Sequence, residues 1–84
     1  MMKFSYALTE RGRYRCINNE FYLQKTPEYK GYTEAIFRLL YKSKKALTTR
    51  EISNLTGIRT RNINGVLTYN IPAGYIRKIK KTYI

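Results

Sequence analysis

The sequence predicts one small α+β domain that is mainly helical, with a β segment near its C-terminal end. Three observations predict this fold. A stripe of apolar residues with helical spacing begins near Thr33. A capping sequence at Thr48 and a glycine at Gly57 mark the two ends of a further helix. Beyond Pro72 and Gly74 the chain becomes rich in β-branched and aromatic residues, as strands are.

Length and charge bound the function. A chain of 84 residues has room for one domain with a thin core, which we take as residues 1–84. The 17 Lys and Arg residues outnumber the 5 acids, all of them Glu, and give a formal net charge of +12. Residues 43–84 hold nine of the basic residues and a single acid, Glu51. This excess of positive charge favours a polyanionic partner.

Missing residue types exclude several classes of protein. Histidine is absent and Cys16 is the only cysteine, which excludes zinc fingers, His-based triads and an intramolecular disulfide. Nucleases need clustered carboxylates for metal ions, whereas here the five Glu are dispersed and Asp is absent. We therefore expect no enzyme, no cofactor, no metal and no small-molecule ligand. Because no apolar run could span a bilayer, we also expect no membrane partner and a cytoplasmic, nucleoid-associated location.

Residues 1–30 form an N-terminal extension whose pattern is the least regular in the chain. Phe4, Tyr6 and Leu8 alternate as in a short strand, and Thr9 could cap a helical turn that reaches Cys16.

The next helix has two candidate starts. Thr26 followed by Pro27 is typical of a helix N-terminus, but Gly31 is expected to interrupt the helix, and Thr33 offers a second start. From Thr33 to about Tyr41 the apolar stripe comprises Ala35, Ile36, Phe37, Leu39 and Leu40.

Two shorter helices follow. Residues 48–51 (TTRE) match a capping box, in which the Thr48 hydroxyl accepts from the Glu51 amide and the Glu51 carboxylate accepts from the Thr48 amide. This helix ends at Gly57, Ile58 is a buried turn residue, and another helix runs from Arg59 or Thr60 to about Asn70. The residues expected to face inward are Ile52 and Leu55 in the first of these helices and Ile63, Val66 and Leu67 in the second.

The C-terminal segment, residues 75–84, is predicted to form one strand and a return, with a bend somewhere in residues 78–81, because Ile76 and Ile79 do not fit strict alternation. Tyr75 and Tyr83 flank its cations and are candidates for stacking on bases.

From residue 33 to residue 84 this order of elements resembles the winged helix-turn-helix family. The resemblance is carried by residues 47–58 (LTTREISNLTGI), by residues 59–67 (RTRNINGVL) in the place of the recognition helix, and by residues 74–77 (GYIR) at the start of the wing. The composition is also similar to that of small winged-helix proteins from archaea and their viruses. The resemblance implies a winged-helix core at residues 33–84 with a short β wing.

The resemblance implies sequence-tolerant or sequence-specific binding to double-stranded DNA and, by default, a role in transcriptional regulation. The helix at residues 60–70 would enter the major groove and the wing would lie on the backbone, where Arg and Asn can read bases and cations can neutralise phosphates. The expected DNA-binding residues are Arg59, Thr60, Arg61, Asn62, Asn64, Thr68, Arg77, Lys78, Lys80 and Lys81. Additional phosphate contacts are expected from Lys44, Lys45, Thr49 and Arg50.

Other functions fit the same sequence. The chain could be a small accessory or adaptor subunit of a DNA replication, repair or transcription complex, such as a basic subunit associated with a DNA polymerase. An RNA-binding role fits the same charge. Residues 1–30 could supply a homodimer interface, and Arg11, Arg13 and Arg15 could extend the phosphate footprint or contact a partner protein.

Overall fold

The computed structural model describes the backbone of residues 2–21 and 27–82 and the side chains of residues 3–21 and 31–80. Two strands and four helices follow one another in these residues. They are β1 (Met2–Leu8), α1 (Glu10–Ile17), α2 (Pro27–Lys42), α3 (Thr49–Thr56), α4 (Thr60–Asn70) and β2 (Ile76–Thr82). The predicted mainly helical α+β fold is confirmed.

The two strands pair with each other, although they lie at opposite ends of the chain. β1 and β2 are antiparallel, with Met2 opposite Thr82 and Leu8 opposite Ile76. The predicted return within the C-terminal segment is therefore wrong, and so is the bend in residues 78–81, because β2 runs without a break to Thr82. Its backbone N–H and C=O groups are paired by β1 instead of by a returning hairpin strand.

The other edge of β1 contacts the segment that leads into α3. The Tyr6 backbone N–H donates to the Leu47 carbonyl oxygen at 2.7 Å, and the Leu47 N–H donates back to Tyr6 at 2.9 Å. β1 thus lies between β2 and Leu47, and this pairing places the first turn of α3 beside the sheet.

The expected strand and helical turn near the N-terminus are both confirmed, and both belong to the core. Thr9 caps α1, its hydroxyl oxygen accepting from the Gly12 amide at 3.2 Å. Tyr6, Leu8 and Cys16 are buried together with side chains of α2, α3 and α4. Burial also raises the pKa of the Cys16 thiol, with nearby arginines opposing the rise.

α2 begins at Pro27, the first of the two predicted starts, whereas Thr26 lies outside the described residues. The predicted interruption at Gly31 is wrong, since the helix continues through it to Lys42. A glycine inside a helix costs only about 1 kcal/mol. Burial of Ile36 and Phe37, both 0% exposed, offsets that cost.

The helix-turn-helix unit formed by α3, the turn at residues 57–59 and α4 agrees with its local sequence signals. In the capping box the Glu51 amide donates to the Thr48 hydroxyl at 3.1 Å, and the Thr48 amide donates to Glu51 Oε1 at 2.9 Å. Gly57 has a φ of 76°, and Ile58 is buried. The inward residues are confirmed except for Leu55, which is 65% exposed in the last turn of α3.

The capping box makes part of the stability pH-dependent. The hydrogen bond from the Thr48 backbone N–H lowers the pKa of the Glu51 carboxyl. The ionised carboxylate therefore stabilises the fold above its unfolded pKa of about 4.3, and this contribution is lost as the pH falls through the lower folded pKa. We expect wild type to exceed Glu51→Gln in free energy of unfolding at pH 6, with the difference shrinking below pH 4. Urea unfolding across this range measures it, and an undiminished difference at pH 2 would contradict it.

Candidate nucleic-acid interface

One side of α4 is polar and exposed, while the opposite side forms part of the core. Ile63, Val66 and Leu67 are between 0% and 3% exposed. Residues three and four positions apart share a helix face, so the exposed polar residues form a stripe along the side of α4 that points away from the core. The predicted DNA-binding residues that are exposed in this helix or at its N-cap are Arg59, Thr60, Arg61, Asn64 and Thr68, whereas Asn62 is half-buried.

The stripe borders a hollow that it shares with the sheet. Asn64 and Thr68 of α4 line one side, and Tyr6 of β1 and Lys78 of β2 line the other, around a volume of about 360 Å³. The structure thereby brings part of the predicted recognition helix and one predicted wing cation to the same surface.

The cations of β2 do not all lie on that surface. Residues that pair directly in an antiparallel ladder point to the same face of the sheet. Lys78 pairs with Tyr6 and Lys80 with Phe4, so both lysines share the face nearer α4. Arg77 pairs with Ala7 and points to the opposite face. Arg77 therefore does not share a face of the sheet with Lys78 and Lys80; Lys81 pairs with Lys3, and its side chain lies outside the described residues.

The predicted phosphate contacts at the start of α3 occupy a second basic area. Lys44, Lys45 and Arg50 are exposed, and Thr49 is half-buried. Lys45 lies 3.7 Å from Glu51 Oε2, so part of its charge is compensated. A hollow of about 280 Å³ brings Lys3 of β1 to the same place as Lys45 and Arg50.

Phe4 is a surface residue that sequence reasoning did not assign. It is 36% exposed, and the Lys78 ammonium lies 4.0 Å from its ring centroid, within range of a cation–π contact. The alternation of Phe4 with Tyr6 indicated a strand but not its partner. Only the pairing with β2 places this aromatic ring among the lysines.

The arginines of α1 do not extend a phosphate footprint together. Arg15 is 4% exposed, and Arg13 stacks on Tyr41 with 4.7 Å between the guanidinium carbon and the ring centroid. Arg11 and Arg15 both contact the Tyr75 ring, which is half-buried, so the two guanidiniums already occupy this predicted stacking residue. Tyr83, the other predicted stacking residue, lies outside the described residues.

The described parts of the chain hold no group of three His, Cys, Asp or Glu side chains placed to bind a metal ion. None of the helices in residues 2–21 and 27–82 has the length and apolar character to cross a membrane. No protein-family model, curated protein or solved structure matches the chain.

Proposed function

We propose that this chain is a double-stranded DNA-binding protein of the winged helix-turn-helix type that acts as a transcriptional regulator. α4 would enter the major groove and the β1–β2 ribbon would serve as the wing. In this arrangement the wing is built from the two ends of the chain, and not from a hairpin that follows α4.

The shared hollow is the observation that carries the proposal. Arg61, Asn64 and Thr68 lie at the spacing of one helix face, and Lys78 borders the same hollow from the sheet. Arg and Asn are the side chains that make two hydrogen bonds to guanine and adenine, respectively, and lysine neutralises phosphates. No acid follows Glu51 in the sequence, so no carboxylate from residues 52–84 competes for these cations.

Binding to duplex DNA should weaken steeply as salt is added. The exposed cations at the start of α3, at the start of α4 and on the α4 side of β2 would neutralise about five phosphates. The logarithm of the association constant should then fall with the logarithm of salt concentration with a slope of about −4 to −5. Fluorescence anisotropy of a labelled 20-base-pair duplex between 50 and 200 mM salt measures the slope. Lys78→Gln should make the slope less negative by about 0.9, whereas Arg13→Gln, on α1, should leave the slope unchanged.

A second candidate function, the adaptor subunit, is favoured by one observation. Tyr14 and Ile17 of α1 are 64% and 68% exposed, and Ile17 borders a mainly apolar hollow with Tyr41 of α2. Neighbouring exposed side chains of this kind offer a surface that a partner protein could cover. Charge reversal in α4 separates the two functions, since an adaptor that binds duplex DNA only through its total charge would lose no more affinity from Arg59→Glu with Arg61→Glu than from two charge reversals elsewhere.

A further inference from the structure

A small hollow lies where α1 packs against the turn that precedes β2. Arg11, Tyr14 and Arg15 of α1 line it together with Glu20 and Tyr75, around a volume of about 210 Å³. This is less than the 300 Å³ or more of a typical pocket for a whole small molecule. The space suits one chemical group of a ligand, and none of its lining residues belongs to the proposed DNA surface.

Arg15 is a buried charged side chain that forms no ion pair with a carboxylate of the described residues. It is 4% exposed, its Nε donates to the Glu20 carbonyl oxygen at 2.6 Å, and its Nη1 lies 3.4 Å from Asn70 Oδ1. The ion pairs seen in the described residues join other groups, Arg38 to Glu34 and Lys45 to Glu51. Burying a guanidinium without a counter-charge is costly, so its surroundings must offset the loss of water.

Aromatic rings supply part of that offset. The guanidinium carbon of Arg15 lies 4.7 Å from the Tyr75 ring centroid, 5.5 Å from that of Phe37 and 5.9 Å from that of Phe21. Cation–π contacts stabilise a buried cation, but they leave its positive charge in place. The hollow is therefore bordered by a guanidinium charge that forms no ion pair within the described residues.

Arg11 brings a second guanidinium to the same ring. Its guanidinium carbon lies 4.9 Å from the Tyr75 centroid, and its Nη1 donates to the Ala73 carbonyl oxygen at 3.1 Å. The Tyr75 ring and the Ala73 carbonyl hold Arg11 in position. Two guanidinium groups at one small hollow match an oxyanion, because each has five N–H donors and uses only one or two of them for the oxygens of Glu20, Asn70 and Ala73.

We propose that this hollow binds the phosphate group of a small phosphorylated molecule. The two negative charges of a phosphate dianion match the two guanidinium groups, whereas the lining itself supplies one carboxylate, that of Glu20. The 64% exposed ring of Tyr14 borders the hollow and offers a surface for the rest of the ligand. The site differs from the sequence-based expectation of no small-molecule ligand, and it does not depend on DNA binding.

Inorganic phosphate is the first probe, titrated at constant ionic strength and followed by calorimetry and by amide NMR shifts. We expect saturable binding with shifts at Arg11, Arg15 and Tyr75. Arg11→Gln should weaken binding about tenfold, as expected for loss of one charge-assisted pair. Arg13→Gln is the matched control, because it removes the same charge from the same helix and also unstacks from a tyrosine, yet it lies outside the hollow; it should change binding less than twofold.

A second pair of variants tests the carboxylate. Glu20→Gln removes the acid in the lining and should strengthen phosphate binding about threefold or more, whereas Glu10→Gln, outside the hollow, should not. Adenosine 5′-monophosphate should compete with phosphate for the same shifts. Binding that does not saturate, equal losses in the two arginine variants, or failure of the nucleotide to compete would overturn the proposal. Displacement of phosphate from these residues by duplex DNA would also overturn it, since the ligand would then be the DNA backbone.

Discussion

Reversing the charge of Arg59 and Arg61 together should reduce the affinity for duplex DNA by about 100-fold or more, while the fold remains intact. Each arginine that contacts a base or a phosphate contributes about 1–3 kcal/mol, and two such losses multiply to this factor. Both side chains are exposed, and Arg59 makes no side-chain hydrogen bond as the N-cap of α4. Their removal therefore breaks no capping interaction.

Glutamate at these two positions should also suit the helix itself. α4 has no acidic residue in its first turn, although the positive end of the helix dipole favours one there. We expect Arg59→Glu with Arg61→Glu to be at least as stable as wild type in urea. A loss of DNA binding could then not be attributed to unfolding.

The matched control reverses the same number of charges elsewhere. Arg13→Glu with Lys42→Glu alters α1 and the end of α2, and it should change the affinity by no more than about threefold at 150 mM salt, since exposed charges beyond about 8 Å are largely screened. Anisotropy with a labelled duplex measures both variants. Equal losses in the two would mean that DNA responds to the total charge of +12 and not to the surface of α4.

The helix-turn-helix unit could be predicted because the residues that cap its helices lie close together in the sequence. Thr48 and Glu51 are three residues apart, and their reciprocal hydrogen bonds depend on little beyond the first turn of α3. Gly57 adopts a positive φ that few other residues tolerate, which fixes where α3 ends. The conformation at these positions depends on residues nearby in the sequence, so the boundaries of α3 and the start of α4 could be predicted.

The sheet could not be predicted in the same way, because its pairing is not local. Lys3 and Lys81, which pair, are separated by almost the whole chain, and nothing near either residue specifies the other. A strand of this composition would pair equally well with a returning hairpin strand. The division of the β2 cations between two faces follows from the register with β1. This part of the candidate site therefore could not be predicted from the sequence pattern either.

The burial of Arg15 is the other feature that the sequence did not predict. An arginine within a run of arginines is typical of a solvated or phosphate-binding face, and Arg15 departs from that pattern because the rings of Phe21, Phe37 and Tyr75 surround it. These rings come from three separate segments of the chain. Such an enclosure exists only after α1 has packed against α2 and the start of β2.

The position of α1 gives the second large expected effect, on stability. Gly12→Ala should lower the free energy of unfolding by about 3 kcal/mol, at the upper end of the usual cost of overpacking. A Cβ at Gly12 would collide with the Tyr75 carbonyl oxygen and come within 3.0 Å of Leu8 Cδ2. The Tyr75 carbonyl oxygen cannot easily retreat, because it accepts a hydrogen bond from the Thr9 amide at 3.0 Å.

Gly31→Ala is the matched control, and it should have the opposite sign. Gly31 is exposed inside α2, and a Cβ there would meet no atom within 4 Å. Since alanine is favoured over glycine in a helix, this variant should gain about 0.5–1 kcal/mol. Urea unfolding of both variants beside wild type measures the contrast. A Gly12→Ala protein as stable as Gly31→Ala would show that α1 does not lie against the start of β2.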